Sequence, residues 1–192
     1  MIQHLDAATW WQTDWRRLPV YRQDLEGEFE QPLNVQWVGT LVDVQRMLKT
    51  QGWRDPVSLN VRTALRWLAP AETLEQLPLL PQVHDGRNEV LQMILPLPTI
   101  QQGPRELVLR LWKSGMVLTS EGNPIWVGSA SFHKPGHFAL FIVPIGAQHY
   151  DEALSFLADS LKATGLQFGQ QVRSTDEIRT AWTGNVLLIR NP

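Results

Sequence analysis

The chain has 192 residues, 43% of them apolar and 19% charged, with a formal net charge of −2 and no cysteine. Those proportions suit one globular domain with a real core and exclude a disordered chain. The charge excludes a bulk attraction to nucleic acid, and the missing thiols exclude disulfides, thiolate nucleophiles and cysteine-based metal sites.

Residues 1 to 31 read as an arm rich in tryptophan, with Trp10, Trp11 and Trp15 close together and Arg16-Arg17 beside them. Packing of that arm onto the domain and anchoring at a headgroup zone both fit such a segment. Residues 32 to 192 read as one domain. Leu33, Val35 and Trp37 alternate with Asn34 and Gln36, as in a half-buried strand. Thr40 with Asp43 opens a helix that carries Leu41, Val44 and Leu48 on one face and stops at Gly52. Ser58 is the expected N-cap of a second helix, with Val61, Leu65 and Leu68 as its buried face and Pro70 as its end.

A proline-rich connector follows, and Asp85-Gly86 is a strong turn signal. Strands are expected over 90–97, 105–112, 125–132 and 138–143. The second is the clearest, because Leu107, Leu109 and Leu111 alternate with Glu106, Val108 and Arg110. Gly128, Ser129 and Ala130 suggest a bulge or a close backbone approach. Tyr150, Leu154, Leu157 and Leu161 form the stripe of a long helix closed by Gly165, with His149 and Asp151 at its capped start. A strand over 166–172, a short helix boxed by Ser174 and Glu177, and a strand over 186–189 complete the chain. The pattern predicts an α+β fold, a mainly antiparallel sheet with three to four helices packed on it.

No phosphate-cradling glycine loop, nucleophile elbow, His-Glu-x-x-His or dinucleotide fingerprint occurs. The candidate binding set is His84, Asp85 and Arg87 on the tight turn, with Arg110 and Trp112 on the clearest strand. A histidine, a carboxylate and a guanidinium on one turn could hold an anion, or could simply hydrogen-bond the turn. Arg110 beside Trp112 could stack on the ring or recognise a phosphate or carboxylate. His133 and His137 bracket Lys-Pro-Gly, read as a turn; they are weak metal candidates that would have to converge across a hairpin. No cofactor is expected.

No apolar run approaches the roughly 20 residues of a membrane-spanning helix, and no signal peptide is visible. A chain that naturally begins at residue 1 would be cytoplasmic; one excised from a longer protein need not be.

Several segments together resemble the LssY C-terminal domain family: Gln31-Pro32-Leu33-Asn34-Val35-Gln36-Trp37 with Gly39, Gly52-Trp53, Leu80-Pro81-Gln82-Val83-His84-Asp85-Gly86-Arg87, Val108 with Arg110-Leu111-Trp112, and Ile125-Trp126-Val127-Gly128 with Ser131. The resemblance covers about residues 15 to 170. Where that family often has histidines before the Arg-Leu-Trp motif, this chain has Glu106 and Leu107.

The resemblance implies a membrane-associated soluble domain, on either side of the membrane. It would be appended to a DedA-like or type-2 phosphatidic-acid phosphatase-like bacterial membrane protein. Neither the Lys-x-x-x-x-x-x-Arg-Pro nor the Ser-Gly-His signature of the phosphatase part occurs here. The expected role is a non-catalytic accessory or binding domain. Its partners would be the membrane-embedded part of the same polypeptide and a lipid headgroup or partner protein. Two alternatives stand beside it: a metal-assisted or acid–base hydrolase using the His84/Asp85 and His133/His137 regions, and a self-association domain forming a homo-oligomer.

Overall fold

A computed structural model describes residues 2–68, 74–99, 103–138 and 141–190. Its first elements are β1 (Gln3–Leu5), α1 (Ala7–Gln12), β2 (Tyr21–Gln23), β3 (Phe29–Pro32), β4 (Val35–Val38), α2 (Leu41–Thr50) and α3 (Val61–Ala64). There follow the short strands β5 (Val83–His84) and β6 (Arg87–Asn88), then β7 (Leu91–Pro96), β8 (Glu106–Leu118), β9 (Pro124–Phe138) and β10 (Phe141–Ala147). The chain ends through α4 (Tyr150–Leu161), β11 (Gln167–Val172) and β12 (Asn185–Arg190).

The main sheet runs β1-β8-β9-β4-β12-β11, with β7 paired to β8 and β10 to β9. The architecture is α+β, but the sheet is mixed rather than mainly antiparallel: β1 lies parallel to β8, and β12 parallel to β4. Parallel neighbours require a long connection between them. A strand's own alternation therefore carries no mark of that choice.

One face of the sheet is apolar throughout. Leu107, Leu109, Leu111, Ala130, Phe132, Val35, Trp37, Leu187 and Ile189 pack there against Val44 and Leu48 of α2 and against Ala153, Leu154, Leu157 and Leu161 of α4. Both helices begin and stop largely as their stripes predict. Thr40 Oγ1 accepts from the Asp43 amide at 3.2 Å. At the start of α4, however, His149 makes no side-chain cap. Asp151 instead accepts from the Thr183 amide, the Thr183 hydroxyl and Asn185 Nδ2. The expected helix after Ser174 is only a 3₁₀ turn over Thr175–Glu177, without a side-chain cap.

The opposite face is closed by two covers. Trp10, Trp15, Leu18 and Tyr21 close one end against Trp112, Val127, Val186 and Leu188. Gln36, on a strand expected to be half-buried, is fully buried there: it accepts from Trp10 Nε1 and donates to the Trp15 carbonyl. Arg173 fastens the same segment by donating to the carbonyls of Arg16 and Leu18, with its guanidinium 4.8 Å from the Trp15 ring.

The second helix departs most from expectation. Asn60, not Ser58, is its N-cap; α3 spans four residues and passes into a 3₁₀ turn over Leu65–Leu68. Val61, Leu65 and Leu68 are exposed rather than buried. Pro70 lies outside the described residues. The small residues of β9 do mark a close approach, since a Cβ on Gly128 would sit 2.5 Å from Leu111 Cδ2 and 2.6 Å from the Arg110 carbonyl oxygen. The register break falls on β8, between Lys113 and Met116.

Candidate functional site

The second cover of that face is the connector, and beneath it the sheet turns polar. Antiparallel register sets Glu106 opposite His133, Val108 opposite Ser131 and Arg110 opposite Ser129. Alternation sends all six side chains to the same face. Leu79 of the connector closes over Val108 and Ile94. Glu106, Arg110, Ser129, Ser131 and His133 are all buried.

Glu89 is the hub that joins cover and sheet. Its Oε1 accepts from Arg110 at 2.8 Å and from Gln92 Nε2, and its Oε2 accepts from the Gln82 amide at 2.8 Å. The Glu89 and Arg110 side chains are 5% and 2% exposed, so the ion pair is a buried one. Burial lowers the Arg110 guanidinium to about 10 although Glu89 and Glu106 pull upward. It therefore stays charged. Burial, with Arg110 adding to it, lowers the His133 imidazole to about 3, so that ring is neutral at ordinary pH. Among the described residues His133 Nδ1, Ser129 Oγ and Arg110 Nε have no hydrogen-bond partner. Asn34 completes the floor: its amide group donates to the Ala130 carbonyl and accepts from the Ala130 amide, extending the β4–β9 ladder through a side chain.

His84 sits at the neighbouring hairpin. Asp85 at φ 49° and Gly86 at φ 71° make the two-residue turn between β5 and β6. Both central residues of such a turn need positive φ, which is why this dipeptide reads so clearly. His84 Nδ1 accepts from the Gln23 amide at 3.1 Å, and the ring meets Trp112 edge-on at 6.1 Å. Burial holds its pKa below the ordinary value; Asp85 opposes this and the Arg22 charge reinforces it. Arg22 itself is buried, and donates to the Val83 carbonyl at 2.7 Å and to Gln31 Oε1 at 3.1 Å. The hairpin is thus bolted to the arm.

The sequence-derived set therefore divides by exposure. His84, Arg110 and Trp112 are buried in bonds that hold the connector, with Trp112 Nε1 donating to the Gln82 carbonyl. Asp85 and Arg87 are exposed. Arg87 lines a cleft of about 470 Å³ together with Lys113, Met116, Trp126 and Ile2. A second cleft, about 420 Å³, passes over Asp55, Ser58, Leu59, Asn88, Glu89 and Gln92.

The segment around His133 is strand and not turn: β9 runs through Pro135 and Gly136, with Pro135 facing Pro144 on β10. β8 ends its pairing with β9 at His133, so a proline beyond that point can turn its missing donor toward an edge that is unpaired among the described residues. His137 lies farther along β9; its side chain lies outside the described residues.

Sequence reasoning missed Glu89, Glu106, Ser129, Asn34 and Arg22. One signal was present: Glu106 and Arg110 share a face of β8 on either side of Val108.

A sequence model described as the LssY C-terminus matches residues 15–185. The chain belongs to that family. No curated protein matches the sequence, and no solved structure does. Among its described residues this LssY C-terminal domain has no helix long and apolar enough to cross a membrane. Nor, among those residues, do three or more His, Cys, Asp or Glu side chains gather as a metal would need.

Proposed function

We propose that this LssY C-terminal domain is a non-catalytic binding domain. It would be carried by a bacterial membrane protein of the DedA-like or type-2 phosphatidic-acid phosphatase-like kind, and would hold a phosphate-bearing headgroup at the Arg87–Lys113 cleft. The observation that carries this reading is the exposure pattern. Of the cations in the candidate set, Arg110 is spent on Glu89, whereas Arg87 stands exposed and lines, with Lys113, a cleft also lined by Met116 and Trp126. Neither Arg87 nor Lys113 has a hydrogen-bond or ion-pair partner among the described residues. Two such cations over apolar side chains suit an anionic group attached to a hydrocarbon stem.

The acid–base alternative draws less support. It needs His84 and His133 to share a pocket, but His84 rests on Trp112 while His133 faces Glu106. Those two positions of β8 are roughly 20 Å apart along an extended strand.

The test is a titration with dihexanoyl phosphatidic acid, dihexanoyl phosphatidylcholine and inorganic phosphate, followed by amide chemical shifts. Saturable shifts over residues 85–88 and 113–117 are expected with the phosphatidic acid alone. Arg87→Ala with Lys113→Ala should weaken them at least tenfold, at about 1 kcal/mol or more per lost charge-assisted contact. An equal response to inorganic phosphate would assign the cleft to the free anion. No shift at these amides would refute the reading.

A further inference from the structure

A second surface stands out because it breaks the rule followed by the stripes of α2 and α4. Val61, Leu65 and Leu68 recur at helical spacing, yet they are 84%, 59% and 50% exposed. Leu59, just before them, is also exposed. Other exposed apolar side chains, such as Leu25, Val42 and Val172, stand far apart in the sequence. The segment is held from its other side by Trp67, whose Nε1 donates to the Pro78 carbonyl. The Asn60–Thr63 capping box fixes its start. The stripe thus faces outward on an anchored turn.

Two arginines share the segment. Arg62 has no hydrogen-bond or ion-pair partner among the described residues. Among the described residues Arg66 bonds only the Gln76 carbonyl and has no ion-pair partner. An apolar row flanked by arginines, with a half-buried tryptophan beside it, has the composition of a helix that lies in the plane of a lipid–water interface.

We infer that residues 59–68 are a membrane-contact surface: Val61, Leu65 and Leu68 enter the acyl boundary, and Arg62 and Arg66 meet anionic headgroups. Charge selects this occupant over a second copy of the chain. A second copy of this surface would bring two more arginines and no carboxylate within residues 59–68, whereas an anionic bilayer supplies both the apolar and the negative layer. The inference stands apart from the Arg87–Lys113 cleft, since it uses none of the same residues.

The experiment is flotation of the full chain with phosphatidylcholine vesicles, with and without phosphatidylglycerol. Four proteins are compared: the wild type, Leu65→Ser with Leu68→Ser, Arg62→Gln with Arg66→Gln, and Arg87→Ala with Lys113→Ala. The wild type is expected to float with the anionic vesicles. The leucine pair should lower binding at least about tenfold through lost apolar burial. The arginine pair should lower it about 25-fold, at roughly fivefold per cation, and high salt should erase that difference. The Arg87/Lys113 variant should float nearly as the wild type does, even if its headgroup titration fails. The altered positions are surface ones, and circular dichroism verifies that each variant is folded. A wild type that stays in the soluble fraction, or a leucine variant that floats undiminished, overturns the proposal. So does light scattering that shows a dimer dissolved by the leucine substitutions, because the occupant is then a second copy.

Discussion

The same face of one sheet is closed in two ways. At the arm end, Trp10, Trp15 and Leu18 cover Trp112, Val127 and Leu188 with aromatic and aliphatic surface. At the connector end, Glu89 and Arg110 join cover to sheet through a buried charge pair, with Glu106 and His133 farther along the same strands. An aromatic cover gains from area and tolerates small displacements. An ionic cover must first offset the desolvation of both charges, and is only as good as its geometry. The difference teaches that one end of this face is closed by bulk and the other by specific bonding. The second is the more conditional on pH and on single atoms.

Four measurements would break or sharpen that contrast. Trp15→Ala removes a fully buried ring that lies against Arg16 and Arg173. Its denaturant midpoint should report a loss of about 4 kcal/mol. A loss below about 1 kcal/mol would make the arm an appendage and not a cover.

Glu89→Ala leaves Arg110 buried and unpaired, and should cost about 3 kcal/mol. Glu89→Leu combined with Arg110→Met should recover most of that. Failure to recover would show that Gln82 and Gln92, which also bond Glu89, need the carboxylate more than the arginine does.

Acid should act through the connector end. His133 binds its proton in the unfolded chain near the ordinary value of about 6.5, but in the fold only near 3. The unfolded state therefore holds more protons in that window, and stability is full above about pH 6.5 and falls as pH drops toward 3. The slope approaches about 1.4 kcal/mol per pH unit, and is read most cleanly between pH 6.5 and about 5, before carboxylates titrate. His133→Gln should flatten that limb, leaving a smaller contribution from His84, which is shifted in the same direction. An unchanged limb would place the acid sensitivity elsewhere.

Thr40→Ala, a cap on the helical side of the sheet, should cost about 1 kcal/mol. With no part in either cover, it should leave the acid limb unchanged.

Much of the fold is written in local pattern. The stripes of α2 and α4, the positive-φ turn at Asp85-Gly86 and the alternation of β8 all arise from neighbours a few residues apart. What the pattern cannot carry is the identity of a cover. Glu106, Val108 and Arg110 read as the outer face of a half-exposed strand until the connector closes over them. Val61, Leu65 and Leu68 read as a buried face, although the fold leaves them exposed. Pro135-Gly136 reads as a turn because both residues break regular structure. The edge that admits them, unpaired among the described residues, exists only where β8 no longer pairs with β9 beyond His133. The candidate site was legible in the same uneven way. Arg110 and His84 stood out by residue type, whereas Glu89, which pairs with Arg110, carries no distinguishing spacing.

The parallel pairing of β12 with β4 also has a bearing on how the molecule comes to exist. β12 occupies an interior place in the sheet, between β4 and β11, and sets Leu187 beside Val35. A ribosome delivers Val35 long before Leu187, so a growing chain must hold the β4 edge open until residues 185–190 emerge. Closure of so long a loop comes late and slowly. A chain truncated before residue 185 should remain bound to chaperones and protease-sensitive, instead of forming a smaller version of the same domain.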